Sequence, residues 1–208
     1  MGTIAVLGSM GESLGRVARV RLLLRRRPTA AALLSFLLLG LLLTACAPLV
    51  PLLRLGLDTD DAYHRVQMAP DGDEIVRALD TAIGRSGRCR QDIGYINYHG
   101  TSTVLNDIVE IRSVRRVFGA GAERIPGSSV KSMIGHPQGA SGAAGIVTAA
   151  MAIDRGFLPP TINQHDLDPA CDLDVIPNTG RPAQIEAALC NCLGFGSKNS
   201  AIVIGRVA

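Results

Sequence analysis

The spacing of apolar residues alternates between helical and extended periods after residue 57. Apolar side chains three and four positions apart predict three helices, over residues 74–86, 106–117 and 139–154. Short apolar runs predict buried strands at residues 92–98, 125–130, 187–191 and 201–205. We expect Asn106 to cap the second helix and Gly156 to end the third. Strands that alternate with helices predict an α/β fold built on a layered sheet.

The N-terminal segment, residues 1–57, has a different pattern. The 26 residues from Pro28 to Leu53 carry no charge and follow three consecutive arginines. This is the length and the basic flank of a membrane anchor or export signal. The sequence that ends at Cys46 also matches a lipobox, which would attach a lipid to that cysteine.

The alternative for residues 1–57 is a mis-assigned start of translation. A GC-rich gene read in a wrong frame gives the same mixture of Arg, Leu, Ala and Pro, and three prolines limit any helix in the segment. Residues 58–208 are then the only genuine domain of this sequence, and we expect a cytoplasmic protein rather than a membrane-associated one. Fractionation of cells that express the chain separates the two hypotheses.

Charge and cysteine content exclude several classes of function. Residues 1–57 hold 7 of the 21 basic residues and 1 of the 18 acidic ones, so residues 58–208 carry 14 and 17, a net charge of −3. A domain without a basic excess gives no indication of nucleic-acid binding. None of the five cysteines forms a Cys-x-x-Cys pair, so we expect neither a metal site nor a disulfide framework.

Three clusters combine glycine with side chains that can carry chemistry: His99–Thr103, Lys131–His136 and Gly194–Asn199. The first histidine directly follows a predicted strand, where α/β enzymes place reactive groups. The second precedes a Gly- and Ala-rich helix, whose positive N-terminus favours a neutral imidazole. The third is a loop whose backbone N–H groups could face a developing oxyanion.

These clusters resemble the signatures of the β-ketoacyl-acyl-carrier-protein synthase family. Residues 97–107 read NYHGTSTVLND and are similar to the family pattern N-x-H-G-T-S-T-x-x-N-D. Residues 131–140 match K-S-x-x-G-H-x-x-G-A, and residues 191–199 are similar to N-S-F-G-F-G-G-x-N. The resemblance covers residues 58–208 and corresponds to the C-terminal half of the family's proteins.

The resemblance implies a thiolase-like fold with layers in the order αβαβα, of which this chain would form the C-terminal half. It implies decarboxylative Claisen condensation of an acyl thioester with malonyl-acyl-carrier protein, in fatty acid or polyketide synthesis. It also implies an acyl-carrier-protein partner, a homodimer or heterodimer, and no cofactor, since the substrates are carried on the phosphopantetheine of the carrier.

The resemblance also implies roles for individual residues. His99 and His136 would bind the malonyl carbonyl, and Lys131 would orient the site through an ion pair with Glu110. Thr101 and Thr103 would contact phosphopantetheine, and Phe195 would be a mobile gate that also lends its backbone N–H to an oxyanion hole. The expected supporting residues are Asp107, Glu110, Gly194 and Gly196.

This sequence departs from the family pattern in two ways. Tyr98 stands where a small residue is usual, and Leu193 and Ser197 replace Phe and Gly in the third motif; Ser197 is costly if its φ is positive. The family's nucleophilic cysteine belongs to the N-terminal half. Cys46 lies in a Thr-Ala-Cys-Ala context that resembles the family's, but its Leu-rich surroundings and its closeness to His99 exclude it from that role.

Two functions therefore stay open. The chain could be a truncated or split synthase that needs the N-terminal half from a missing segment or a partner subunit. The alternative is a non-catalytic partner that binds carrier protein, in the manner of a chain-length factor, or an inactive fragment.

Overall fold

The computed structural model describes residues 58–206 of the chain. The helices, numbered in chain order, are α1 Asp73–Ser86, α2 Asn106–Phe118, α3 Lys131–Ile134 and α4 Ser141–Arg155. The strands are β1 Asp58–Asp60, β2 Ile93–Asn97, β3 Gly127–Ser128, β4 Phe157–Leu158, β5 Arg181–Pro182, β6 Ala187–Gly194 and β7 Lys198–Gly205. Short 3-10 turns lie at Arg90–Asp92, Gly119–Arg124 and Gln138–Ala140.

Five strands form the main sheet in the order β1-β7-β6-β2-β3. Strand β2 pairs in parallel with both β6 and β3, whereas β7 is antiparallel to β6 and to β1. Strands β4 and β5 pair antiparallel in a small separate sheet. Because β6, β2 and β3 are parallel neighbours, the loops that follow them leave the same edge of the sheet.

Helices cover both faces of the main sheet. Side chains of α1 and α2 pack with Ile96, Leu189 and Val203 in one apolar core. Side chains of α4 pack with Tyr95 and Ala188 in a second core, on the opposite face of the sheet. Successive strand residues point to opposite faces, so the two cores follow directly from the strand pattern. The observed arrangement is the predicted α/β fold, with a layer order of helix, sheet, helix.

The helix boundaries confirm the predicted elements with small shifts. Asn106 is not the N-cap of α2, because Leu105 occupies that position and the Asn106 amide donates instead to Asp107 and Glu110. A 3-10 turn delays the start of α4 to Ser141, and Gly156 ends it at a φ of 61°. The left-handed conformation at this position is the reason that glycine follows the helix.

The strands also differ in length from the prediction. The strand predicted over residues 125–130 pairs only at Gly127–Ser128, while β6 and β7 both extend further toward their connecting turn than the apolar runs indicated. Within residues 58–206, no helix combines the length and the apolar character needed to cross a bilayer. The proposed anchor at residues 28–53 and Cys46 lie outside the described residues.

A close contact between β2 and β3 gives a test of this packing. A Cβ added to Gly127 would lie 2.2 Å from Cε2 of Tyr98 and 2.8 Å from the carbonyl oxygen of Ile96. We expect Gly127→Ala to lower the free energy of unfolding by about 1–3 kcal/mol, because the overpacked backbone cannot yield. Urea denaturation measures the change.

The matched control is Gly84→Ala in the exposed part of α1, where an added Cβ meets no atom within 4 Å. This substitution should stabilise the protein by about 0.5–1 kcal/mol, since alanine favours a helix over glycine. Equal destabilisation by both substitutions would contradict the proposed packing.

Candidate active site

The three clusters singled out in the sequence follow three neighbouring parallel strands. His99 comes after β2, Lys131 after β3, and the turn that contains Phe195 after β6. Because parallel strands place their carboxyl ends at one edge of a sheet, their following loops converge there. This edge is the candidate active site.

The backbone around His99 is held by a buried carboxylate. Glu110 is 1% exposed and accepts four hydrogen bonds. Its Oε1 accepts from the His99 N–H at 2.7 Å and from the Asn191 amide at 2.9 Å, while Oε2 accepts from the Gly100 N–H at 2.9 Å and the Asn106 amide at 3.4 Å. Burial raises the pKa of Glu110, and the donated hydrogen bonds oppose that rise.

Lys131 acts on His99 directly rather than through Glu110. Its ammonium donates to the His99 carbonyl oxygen at 2.5 Å, and it forms no direct ion pair with Glu110. The prediction that Lys131 orients the site through an ion pair with Glu110 is therefore wrong. The two residues hold the backbone of His99 on both sides, since Glu110 accepts from its N–H and Lys131 donates to its carbonyl oxygen. Burial lowers the pKa of Lys131.

The two histidine rings lie close together. Their centroids are 5.6 Å apart and their planes meet at 81°. His99 is buried, and its Nδ1 has no hydrogen-bond partner among the described residues. Burial, followed by the charges of Lys131 and His136, lowers the pKa of His99 to about 3, so its ring is neutral at physiological pH.

The hydrogen bonds of His136 define its tautomer. This exposed ring lies between α3 and the following 3-10 turn, and its Nδ1 accepts from the Gln138 backbone N–H at 3.1 Å. The Ser141 hydroxyl lies 3.0 Å from the same nitrogen. Because a backbone N–H can only donate, Nδ1 is unprotonated and the neutral ring carries its proton on Nε2. His136 is therefore oriented to donate from Nε2.

A cleft of about 730 Å³ is lined by His136 but not by His99. Its wall includes Lys131, His136, Thr101 and Thr103, together with Asp107 and Glu110 at the start of α2. The hydroxyls of Thr101 and Thr103 are 2.9 Å apart, and Asp107 accepts from the Ser102 N–H at 3.2 Å. Tyr98 also lines this cleft, and its ring is buried against Gly127.

The third cluster stands apart from the cleft wall. Phe195 is 79% exposed at the tip of the β6–β7 turn, between Gly194 and Gly196. Gly196 has a φ of 76° and Ser197 a φ of 61°, so the third motif does place its serine in the left-handed region.

The sequence alone assigned no role to Asn191 or Ser141, although Asn191 begins the third motif and Ser141 directly follows the second. Asn191 donates to Glu110, 81 positions earlier in the chain, and the Ser141 hydroxyl lies beside His136, five positions earlier. Within the described residues, no grouping of three potential ligands could hold a metal ion.

Solved structures define the class of fold. A type II polyketide synthase acyl carrier protein in complex with its ketosynthase superimposes with a TM-score of 0.71 and 35% identity, over 74% of this chain and 38% of that chain. The ishigamide ketosynthase/chain length factor gives a TM-score of 0.68 and 34% identity, over 74% of this chain and 37% of that chain. The fold is thus that of thiolase-like ketosynthases.

Sequence comparisons agree with this class. The family model described as "Beta-ketoacyl synthase, C-terminal domain" matches residues 51–165. The tetracenomycin polyketide synthase ketoacyl synthase alpha subunit of Streptomyces glaucescens is 40% identical over 146 residues, 70% of this chain and 34% of that protein. The 3-oxoacyl-[acyl-carrier-protein] synthase 2 of Staphylococcus aureus is 39% identical over 145 residues, 70% of this chain and 36% of that protein.

The chain belongs to the β-ketoacyl synthase family and corresponds to its C-terminal domain. It spans about a third of the length of the curated relatives that it matches.

The low pKa of His99 gives a pH-dependent stability. In the unfolded chain its pKa is near 6.5, and in the folded protein it is about 3. Between these values the unfolded state binds more protons at this histidine than the folded state does. The contribution of His99 to the free energy of unfolding is therefore complete above about pH 6.5 and is lost as the pH falls toward 3. His99→Gln should remove it, because glutamine does not titrate.

Urea denaturation at several pH values from about 7 to 4.5 measures the effect. The free energy of unfolding of the original chain should fall more steeply than that of His99→Gln, by up to about 1.4 kcal/mol per pH unit. Parallel pH profiles would show that His99 is not held neutral by the fold.

Proposed function

We propose that this chain supplies the malonyl-binding and decarboxylating part of a β-ketoacyl synthase active site. The observation that carries the proposal is the pair of histidine rings 5.6 Å apart, at an edge of the sheet beside a cleft. Two imidazole N–H groups directed at one thioester oxygen form an oxyanion hole for the enolate of acetyl-carrier protein.

The step proceeds without a formal charge on either ring. The bond between the malonyl carboxylate and the α-carbon breaks, CO₂ leaves, and the released electron pair becomes the enolate whose oxygen accepts both N–H bonds. His136 donates from Nε2, because its Nδ1 is occupied by the Gln138 N–H. These bonds strengthen as negative charge develops, which lowers the barrier rather than the energy of the bound substrate.

Lys131 and Glu110 act as positioning residues in this scheme. They bind the backbone carbonyl and the backbone N–H of His99, at 2.5 Å and 2.7 Å, so that the ring stays in the place the enolate needs. The ammonium of Lys131 also disfavours protonation of His99, which keeps the ring neutral. Thr101 and Thr103, on the cleft wall, would hydrogen-bond the phosphopantetheine arm of an acyl carrier protein.

Condensation needs in addition a reactive thiol to hold the acyl group. Burial raises the pKa of Cys171 to about 11, that of Cys190 to about 12, and that of Cys192 as well. Protonated thiols are poor nucleophiles. Cys89 is exposed, but it precedes β2 whereas His99 follows that strand, so the two residues lie at opposite ends of β2. The proposal therefore takes the nucleophile from a segment outside residues 58–206, in the same protein or in a partner subunit.

The exposed apolar surface supports a partner of this kind. Helix α4 presents Val147 and Met151 to solvent, one turn apart, and carries no charged residue before Asp154. Apolar side chains near the site are exposed as well: Val104, Met133, Ile134, Leu167 and Phe195. Large apolar side chains left exposed in this number are expected where a partner covers them, and the remaining layers of an αβαβα fold are such a partner.

The second candidate function is that of a non-catalytic partner that binds acyl carrier protein, as a chain-length factor would. The raised pKa values of the thiols favour it, because they leave residues 58–206 without a ready nucleophile. The solved ketosynthase/chain length factor structure shows that the fold occurs in such pairs. The two candidates differ in whether the histidine pair decarboxylates malonyl groups.

Decarboxylation of malonyl-acyl-carrier protein by the full chain tests the first function. His99→Ala and His136→Ala should each lower the rate about 100-fold or more, since each removes one donor to the enolate. Arg155→Ala is the control, because it removes an exposed charge at the far end of α4. Release of ¹⁴CO₂ from labelled malonyl groups measures the rate, and equal rates in all variants would contradict the role of the histidines.

Reconstitution tests the origin of the nucleophile. We expect no acyl group on any thiol of residues 58–206 after incubation with acyl-carrier protein, as read by mass spectrometry of peptides. Adding, as a separate chain, the N-terminal part of a synthase that this chain does not cover should give condensation product. Acylation of Cys46 would overturn its exclusion, and decarboxylation without condensation in the reconstituted pair would contradict the split-synthase form.

A further inference from the structure

A serine hydroxyl ties the turn that carries Phe195 to a distant segment. Ser197 is 1% exposed, and its Oγ accepts from the His64 N–H at 3.3 Å. The same hydroxyl donates to the carbonyl oxygen of His64 at 3.1 Å, with the Gln67 carbonyl oxygen at 3.3 Å as a second acceptor. The donor and the acceptor functions of the hydroxyl are therefore both used.

Backbone hydrogen bonds reinforce this contact on both sides of Ser197. The Gly196 N–H donates to the Arg65 carbonyl at 2.7 Å, and the Asp61 N–H donates to the Ser197 carbonyl at 3.3 Å. Phe195, directly before this pair of residues, is 79% exposed. The turn is thus held by hydrogen bonds on the side that follows Phe195, while most of the Phe195 side chain is exposed to solvent.

The conformation of Ser197 indicates that the hydroxyl is needed. Its φ of 61° lies in the left-handed region, where a side chain costs free energy that glycine avoids. The family pattern has glycine at this position, so the serine here is the strained choice. Its hydrogen bonds to residues 64 and 67 are the compensation that the structure provides.

We propose that Ser197 is a positioning residue that clamps the Phe195 turn onto residues 61–67 and restricts the movement of Phe195. This inference rests on the proposed function and on the role of mobile gate that the family resemblance implies for Phe195. A glycine at the same position keeps the turn but lacks the hydroxyl. The serine therefore narrows the range of gate positions relative to the family pattern.

Two substitutions separate the hydroxyl from the backbone strain. Ser197→Ala removes the hydroxyl and keeps the side chain at positive φ, whereas Ser197→Gly removes the hydroxyl and relieves the strain. Ser200→Ala is the control, because it removes a hydroxyl hydrogen bond, to Asp58, from the strand that follows the turn and leaves the clamp intact. Each substitution is made in the full chain.

Hydrogen exchange reads the clamp directly. The amides of His64 and Gly196 should exchange about 3- to 10-fold faster in both Ser197 variants than in the original chain. The reason is that the folded turn, which protects these amides, loses the hydrogen bonds of the Ser197 hydroxyl. They should be unchanged in Ser200→Ala. Amides in the centre of β2 and β6 should be unaffected, since a general loss of stability would raise all of them together.

A tryptophan reporter reads the gate. The chain contains no tryptophan, so Phe195→Trp introduces a single emitter at the tip of the turn. In this background, Ser197→Ala and Ser197→Gly should both lower the fluorescence anisotropy of Trp emission, and Ser200→Ala should not.

Three outcomes would overturn the clamp. The first is unchanged exchange and anisotropy in both variants, and the second is faster exchange throughout the sheet. The third is slower exchange in Ser197→Gly with no change in Ser197→Ala, which would show that backbone strain, and not the hydroxyl, controls the turn. Neither measurement needs catalysis. Failure of the proposed function would appear instead as decarboxylation that does not depend on His99 and His136.

Discussion

The buried carboxylate of Glu110 joins the loop after β2, helix α2 and the distant strand β6. It receives the backbone N–H groups of His99 and Gly100 after β2, the amide of Asn106 in its own helix, and the amide of Asn191 in β6. A buried carboxylate is costly unless its oxygens are hydrogen-bonded, so these four donors and the charge depend on one another. The position of His99 follows from this arrangement.

Electrostatics of the site then follow from where Lys131 is placed. Its ammonium is bound to the His99 carbonyl rather than paired with Glu110, so its charge acts on the nearby imidazole without full neutralisation. Together with burial, this charge keeps His99 neutral. A pair of neutral donors suits a reaction in which negative charge appears on oxygen only after CO₂ has left.

The turn after β6 shows how one replacement changes local mechanics. Serine in place of glycine adds strain at a positive φ and adds hydrogen bonds to residues 64 and 67. The exposed phenyl ring of Phe195 lies next to this anchored residue. Strain that is compensated by specific contacts is found where the backbone conformation is important for function.

The sequence by itself determined the alternation of helices and strands, the end of α4 at Gly156, and the three clusters, because periodicity and glycine conformation are local properties. Motif resemblance identified His99 and His136. Only the tertiary structure decided that Lys131 binds the His99 carbonyl, that Asn106 serves Glu110 instead of capping α2, and that Asn191 completes the carboxylate's partners. Those contacts join residues up to 81 positions apart. Spacing along a chain carries no information about such distances, which depend on how parallel strands bring their ends together.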